Sequence, residues 1–298
     1  MKNNTTILLA IIAILVVATF IVMQKPGEKS LTTNDRNLLV GLDSTRIDKI
    51  EIKCKFGSYE LVRQGLEWRV TKPVQAKADA EFIGTAINMT TNMIVKSIVS
   101  TNPEKQSVFE VDSSGSSVKI YEDGSLKAEF IVGKMGNAYD ETYVRLAGSD
   151  EVALVNGSLT YLYGSPLRNW RDKTIFHIDQ SQIASIGYRF SDEEFTLQQK
   201  DTAWTIDGTT VNRDIVNNLL RFVTSFDADD FLDTPPDTMP KITGFIDLAG
   251  VQLRFAEQAD ENHYLVQSST SPQWFIVYKS HAESILKRKS GFFKDIQS

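Results

Sequence analysis

Hydrophobic and polar positions change rhythm twice along the chain. From Ile7 to Met23 the residues read ILLAIIAILVVATFIVM, with Thr19 the only polar side chain and no charge between Lys2 and Lys25. At 1.5 Å per residue this run spans about 25 Å as a helix, and adding Thr5, Thr6 and Gln24 brings it to about 30 Å, the thickness of a bilayer core. A cleaved signal peptide has a shorter apolar region, roughly 7–15 residues, and a small-x-small cleavage pattern. The sequence Gln24-Lys25-Pro26-Gly27-Glu28 has no such pattern, and no cysteine there awaits a lipid. Residues 1–24 therefore predict a retained transmembrane anchor, with residues 7–23 in the lipid. Residues 25–45, polar with Pro and Gly, read as a linker.

Beyond the linker, apolar residues alternate with polar ones, the period of half-buried strands. Ile47–Val70 and Ile183–Ile206 align without a gap at a constant offset of 136. Ile47 then meets Ile183, Ile50 meets Ile186, Tyr59 meets Phe195, Leu61 meets Leu197, Trp68 meets Trp204 and Val70 meets Ile206. Each copy opens with a three-stranded meander whose last strand carries a tryptophan. Helical spacing follows over Ala78–Met89 (Phe82, Ile83, Ala86, Ile87). It recurs over Arg213–Phe226 (Ile215, Val216, Leu219, Leu220, Val223), behind a cap at Asn212.

Phe109 meets Phe245 at the same offset. Strands are then expected at Val118–Glu122, Thr142–Leu146 and Glu151–Val155, and at Val251–Phe255, His263–Gln267 and Gln273–Val277. The offset here falls to about 121, read as an extra strand in the first copy at Ala128–Gly133, entered through Asp123-Gly124. Helical stretches Ser158–Leu162 and Ser280–Lys289 close the copies, the second behind a capping box of Ser280 and Glu283. Trp170-Arg171-Asp172 corresponds to Phe293-Lys294-Asp295. The pattern predicts an α+β chain: the anchor, the linker, and two tandem homologous repeats at 46–176 and 177–298. Each repeat is a mainly antiparallel sheet with packed helices.

Composition narrows the chemistry. The 298 residues are 42% hydrophobic, and 32 Lys+Arg against 38 Asp+Glu give a net charge of −6, which offers nucleic acid no general attraction. The lone cysteine, Cys54, forbids an intramolecular disulfide, and the three histidines lie far apart. No phosphate-cradling loop, dinucleotide fingerprint, zinc-protease helix or nucleophile elbow occurs, so no nucleotide or cofactor is expected. Ser116-x-x-Lys119 matches a penicillin-binding nucleophile motif but begins a strand and lacks its companions. His177 and Asp179 sit at the junction of the copies and read as solvated or capping residues.

The densest charge cluster is Asp227, Asp229, Asp230, Asp233 and Asp237. Calcium takes six to eight oxygens, but the central glycine and terminal glutamate of an EF-hand loop are missing. The stretch reads foremost as a solvated turn, then as a divalent-cation site, and last as catalytic carboxylates. Trp68 and Trp204 could stack on a sugar, although equivalent places in two copies favour the core. The basic tail of Lys287-Arg288-Lys289 and Lys294 reads as a helix C-terminus, where cations suit the dipole, with an anionic headgroup or partner surface as the alternative.

Several segments taken in order carry a resemblance: IDKIEIK, ELVRQGLEWRVTKP followed by ADAEFI, SIVSTNPEK, YVRL with EVALV, and RDKTIFHID. Together with the N-terminal apolar helix they resemble the bacterial domain-of-unknown-function family 4340 over nearly all of residues 40–298. The resemblance implies a protein that accompanies auxiliary ABC transporter components of the gliding-motility type. It supplies no catalytic or binding residues. The expectation is a non-enzymatic adaptor in the bacterial cytoplasmic membrane, its bulk outside the cytoplasm, with integral membrane proteins as partners. An envelope glycan- or lipid-binding protein is the alternative, and an acidic-residue hydrolase the third reading. If the anchor is retained, mass spectrometry of the membrane fraction finds peptides from Met1–Gln24 on the mature chain. A soluble species starting near residue 25 contradicts it.

Overall fold

The computed structural model describes residues 36–234, 238, 241–257 and 262–294. The anchor segment lies outside them, and among the described residues no helix is long and apolar enough to cross a membrane. Contacts divide the chain into two compact units. One holds residues up to Ser58 with Gly84–Ser165, and the other holds Tyr59–Ile83 with residues from Pro166 onward.

The elements run β1 (Ile47–Cys54), β2 (Gly57–Gln64), β3 (Glu67–Lys72), β4 (Ala76–Lys77), α1 (Ala80–Thr91), β5 (Val95–Ser100), β6 (Ser116–Glu122), β7 (Ser125–Met135), β8 (Glu141–Leu146), β9 (Val152–Asn156) and α2 (Leu159–Tyr163). They continue with β10 (Thr174–His177), β11 (Ser185–Arg189), β12 (Glu194–Lys200), β13 (Ala203–Ile206), β14 (Thr209–Thr210), α3 (Arg213–Val223), β15 (Ser225–Asp227), β16 (Asp230–Leu232), β17 (Ile242–Leu248), β18 (Val251–Glu257), β19 (His263–Ser268), β20 (Trp274–Tyr278) and α4 (Lys279–Ile285). One nine-stranded sheet has the order β4-β3-β2-β1-β6-β7-β8-β9-β5, and the other β14-β13-β12-β11-β17-β18-β19-β20-β16. Strand for strand, the two orders are the same. Every pairing in the second sheet is antiparallel. Two large antiparallel sheets with a few helices make the chain α+β.

This topology corrects the expected extra strand. Ala128–Gly133 lies within β7, whose counterpart is β18. The strand overlooked in the second copy is β17, which pairs with β11 and β18 just as β6 pairs with β1 and β7. Its alternation fails to show because Gly244 stands on the buried face between Ile242 and Ile246. A Cβ there would lie 2.9 Å from Leu286 Cδ1 and 3.0 Å from Phe190 Cε1, so close packing excludes an apolar side chain.

Helix ends shift for equally local reasons. The carboxylate of Asp79 accepts from Phe82 N at 2.9 Å, so α1 starts after Asp79 rather than at Ala78. Asn212 Oδ1 accepts from Asp214 N (2.9 Å) and Ile215 N (3.4 Å), the cap expected for α3. That helix stops at Val223 because Ser225–Asp227 turns into β15 and pairs with β10. Ser280 makes no capping bond: α4 already begins at Lys279, and it ends at Ile285, four residues short of the expected end at Lys289.

Residues 36–45 are folded rather than a linker. Val95 N donates to Arg36 O at 2.9 Å, Leu38 N donates to Met93 O at 2.7 Å, and Leu39 is buried. Asp43 Oδ1 accepts from Thr45 N (2.9 Å) and Thr45 Oγ1 (2.7 Å). At offset 136, Asp179 Oδ1 accepts from Ser181 N (2.8 Å) and Ser181 Oγ (2.6 Å). Composition hides this start because its four apolar residues, Leu38, Leu39, Val40 and Leu42, follow no strand or helix period, and only Leu39 is fully buried.

In the first unit, Ile47, Ile50, Val118, Ile120, Phe130 and Val144 line the buried sheet face. Tyr163 from α2 meets Phe130 edge-on at 5.9 Å, and its hydroxyl lies 2.6 Å from Thr90 Oγ1. Burial drives that phenol's pKa above its ordinary value. In the second unit, Val216, Leu219, Leu220 and Val223 of α3 pack with Ile186, Leu197, Leu253 and Phe255. Tyr188 stacks on Phe195 at 4.9 Å and donates to Ile285 O at 3.2 Å.

The repeated tryptophans differ. Trp68 is buried at 9% exposure, whereas Trp204 is only partly covered, at the margin of the second core. Trp68→Ala should therefore cost about 3–5 kcal/mol in urea unfolding, and Trp204→Ala distinctly less. Equal losses would contradict this packing difference.

Candidate functional site

The aspartates of the acidic cluster are separated by the strands that carry them. Asp227 ends β15 with its side chain exposed, its backbone paired with Thr174. Asp229 Oδ2 accepts from Tyr278 N at 2.8 Å and lies 3.9 Å from His281 Nδ1. Asp230 accepts from Phe231 N at 2.9 Å and stands 3.3 Å from Arg168 Nη1. Asp233 takes both its oxygens to Arg171 Nη1, at 2.7 and 2.8 Å. Asp237 lies outside the described residues. Each of Asp229, Asp230 and Asp233 thus serves a different partner. Among the described residues no three His, Cys, Asp or Glu side chains gather as a metal site.

Asp233 leads to a feature that the sequence conceals. Arg171 is 2% exposed, an unusual place for a guanidinium because desolvation must be offset by partners. Besides Asp233, its Nη2 donates to Gln273 Oε1 at 3.3 Å, and the guanidinium carbon lies 3.6 Å above the Phe231 ring. Gln273 is fixed in turn, donating from Nε2 to Leu232 O (3.0 Å) and Trp274 O (2.6 Å). Arg171 Nε is buried and has no partner among the described residues. The residues meet across sequence separations of 62 and 102, and no local motif announces them.

Beside Arg171 opens a cavity of about 680 Å³, within the second unit. Its wall includes Arg69, Gln75, Lys77, Thr270, Ser271 and Trp274. Arg69 and Lys77 are direct partners across β3 and β4, so two cations sit opposite each other. Lys77 Nζ is bound by Asp172 Oδ2 at 2.9 Å. That hydrogen bond and charge raise the Lys77 pKa. Burial pushes the Asp172 carboxyl up, yet Lys77 and the bonds from Thr174 hold it below its ordinary value. The Arg69 guanidinium makes no ion pair or hydrogen bond with the described residues. Among the lining residues three cations, Arg69, Lys77 and Arg171, face two acids, Asp172 and Asp233, while Glu67 acts on Lys77 from the start of β3.

A second cavity, of about 690 Å³, is lined by neutral side chains such as Gln199, Thr202, Trp204 and Asn217, with Arg213 at its side. The remaining sequence candidates are dispersed. Ser116 and Lys119 are three apart on β6, hence on opposite faces, and Lys119 pairs with Glu129 at 3.7 Å. His177 is exposed, and Asp179 is spent on its turn. The helix-terminus reading holds for Lys287, whose Nζ donates to Glu283 O in the last turn of α4 at 3.4 Å, but not for its neighbours: Arg288 binds Asp192, lies 3.3 Å from Glu193 and stacks on Phe190, while Lys289 binds Asp207 at 2.6 Å.

The Arg171 cluster generates a stability prediction. Arg171→Met should destabilise the chain less than Arg171→Ala, because Met fills the space over Phe231 while Ala also leaves a cavity. The gap should be about 1–2 kcal/mol in denaturant unfolding; equal losses would show that packing over Phe231 contributes nothing.

No curated protein and no solved structure matches the chain. One family does, over residues 68–243, from the tryptophan strand of the first sheet to the start of β17. With more than half of its length matched, the chain belongs to the family described as Domain of unknown function (DUF4340).

Proposed function

We propose that the protein is a membrane-anchored, non-enzymatic adaptor, held in the bacterial cytoplasmic membrane by Ile7–Met23 with its folded bulk outside the cytoplasm. Its partners are integral membrane components of an ABC-type or gliding-motility-like complex. Its two sheets descend from one duplicated domain, a reading supported by their common strand order and the 136-residue offset.

The observation that carries the proposal is a set of exposed aromatic side chains in the first unit. Tyr139 is 85% exposed and Tyr161 68%, and Met135, also in the first unit, is exposed as well. Ser158 Oγ donates to Tyr139 O at 2.7 Å, and Thr160 Oγ1 donates to Gly133 O at 2.8 Å. These bonds hold the β7–β8 loop against α2, so the aromatic residues share one neighbourhood. Exposed aromatics on a firmly tied surface are the usual anchors of protein interfaces.

Detergent pull-down of the full-length chain should recover integral membrane proteins of one transport complex. Tyr139→Ser with Tyr161→Ser should weaken recovery by tenfold or more without changing the unfolding midpoint. Replacing Ile7–Met23 with an unrelated apolar helix separates tethering from helix packing within the bilayer. A full-length protein that co-purifies with no membrane chain contradicts the adaptor role.

A further inference from the structure

We propose that the cavity beside Arg171 binds a small hydroxyl-bearing organic anion, an acidic sugar being the chemistry that fits its wall. Three independent features converge there. The first is charge. Arg69 and Lys77 are opposed in the β3–β4 register, a like-charge pairing that destabilises a sheet unless something neutralises it. Asp172 neutralises Lys77, and Asp233 neutralises Arg171. Arg69 is left to meet an anion, and its planar fork suits a carboxylate or phosphate.

The second feature is the polar lining. Gln75, Thr270 and Ser271 line the cavity, each holding one hydrogen bond within the protein, to Thr71 O, Ser268 Oγ and Gln273 N, and keeping further donor or acceptor capacity for a ligand. Such groups exchange hydrogen bonds with ligand hydroxyls and add no net charge. Trp274, partly exposed, lines the same wall and supplies an aromatic ring on which the C–H side of a sugar can stack. The third is construction. Arg171, Gln273 and Phe231 of the cavity lining are held together by partly buried hydrogen bonds and by stacking of the guanidinium on the ring, so the site is preformed. A cavity of about 680 Å³ also lies within the range of small-molecule pockets.

Arg69 is the specificity residue in this assignment. Its neighbours Trp68 and Val70 point into the core, so the alternation of the strand aims Arg69 at the opposite face. Changing it alters the cavity without disturbing a pairing. The site is independent of the adaptor role, and a failed pull-down leaves it untouched.

Titration calorimetry on the full-length chain in detergent, at low salt, tests it with four probes: glucuronate, glucose 6-phosphate, inorganic phosphate and glucose. One or both anionic sugars should bind, glucose should bind at least tenfold more weakly, and Arg69→Gln should lose about tenfold in affinity. Preference between glucuronate and the sugar phosphate identifies the anionic group. Arg69→Gln should keep the wild-type unfolding midpoint; should it not, Thr270→Val provides the same test through the hydroxyl wall. Absence of binding by both anionic sugars overturns the proposal. So does equal affinity in a folded Arg69→Gln chain, or phosphate alone binding as tightly as both sugars.

Discussion

One-sided burial of a nine-stranded antiparallel sheet is the constraint from which the other features follow. Side chains along a strand alternate between faces, so a one-residue slip would carry Ile50, Ile52, Leu61 and Val70 from the core into solvent. The same requirement holds Ile186, Leu197, Ile206 and Leu253 in the second sheet. Once the core face is fixed, the intervening residues must occupy the other face. Arg69 stands opposite Lys77 because Trp68 and Val70 must point inward. The charge of the cavity wall is thus a by-product of core register as much as of local composition.

Polar construction in the second unit depends on that framework but adds its own rules. A guanidinium taken out of water loses more in desolvation than one ion pair returns, so Arg171 draws on Asp233, Gln273 and the face of Phe231 together. Gln273 also binds the carbonyls of Leu232 and Trp274, linking β16 to β20 through a side chain. This small network explains why the acidic stretch contains carboxylates that do not converge. One balances a buried cation, one accepts from the backbone of Tyr278, and one stands beside Arg168.

Legibility in the sequence followed the range of the interactions. The two meanders were readable because each strand's alternation is local and their offset never changes across Ile47–Val70. The Asn212 cap was readable for the same reason. Strand β17 was not, since tertiary packing around Gly244 removed the apolar residue that alternation requires. The Ser280 capping box matched in spelling only, because Lys279 had already entered the helix and no side-chain bond formed. Least legible was the site itself. Arg171, Asp233 and Gln273 belong to distant segments, and neither charge density nor residue type distinguishes them from surface residues. The acidic stretch is dense in sequence, yet its strands hand Asp229, Asp230 and Asp233 to separate partners.

The ends of the two sheets have a further consequence. β4 and β14 contain only two residues each, and β16 three. The longer edge strand, β5, pairs with β9 through two breaks in register. An open edge recruits another chain through a row of unused backbone donors and acceptors, and brevity or irregularity removes that row. Such sheets can stand at high density, even crowded side by side, without zipping together into β-aggregates. Association is left to side chains, which discriminate among partners, instead of to backbone, which does not.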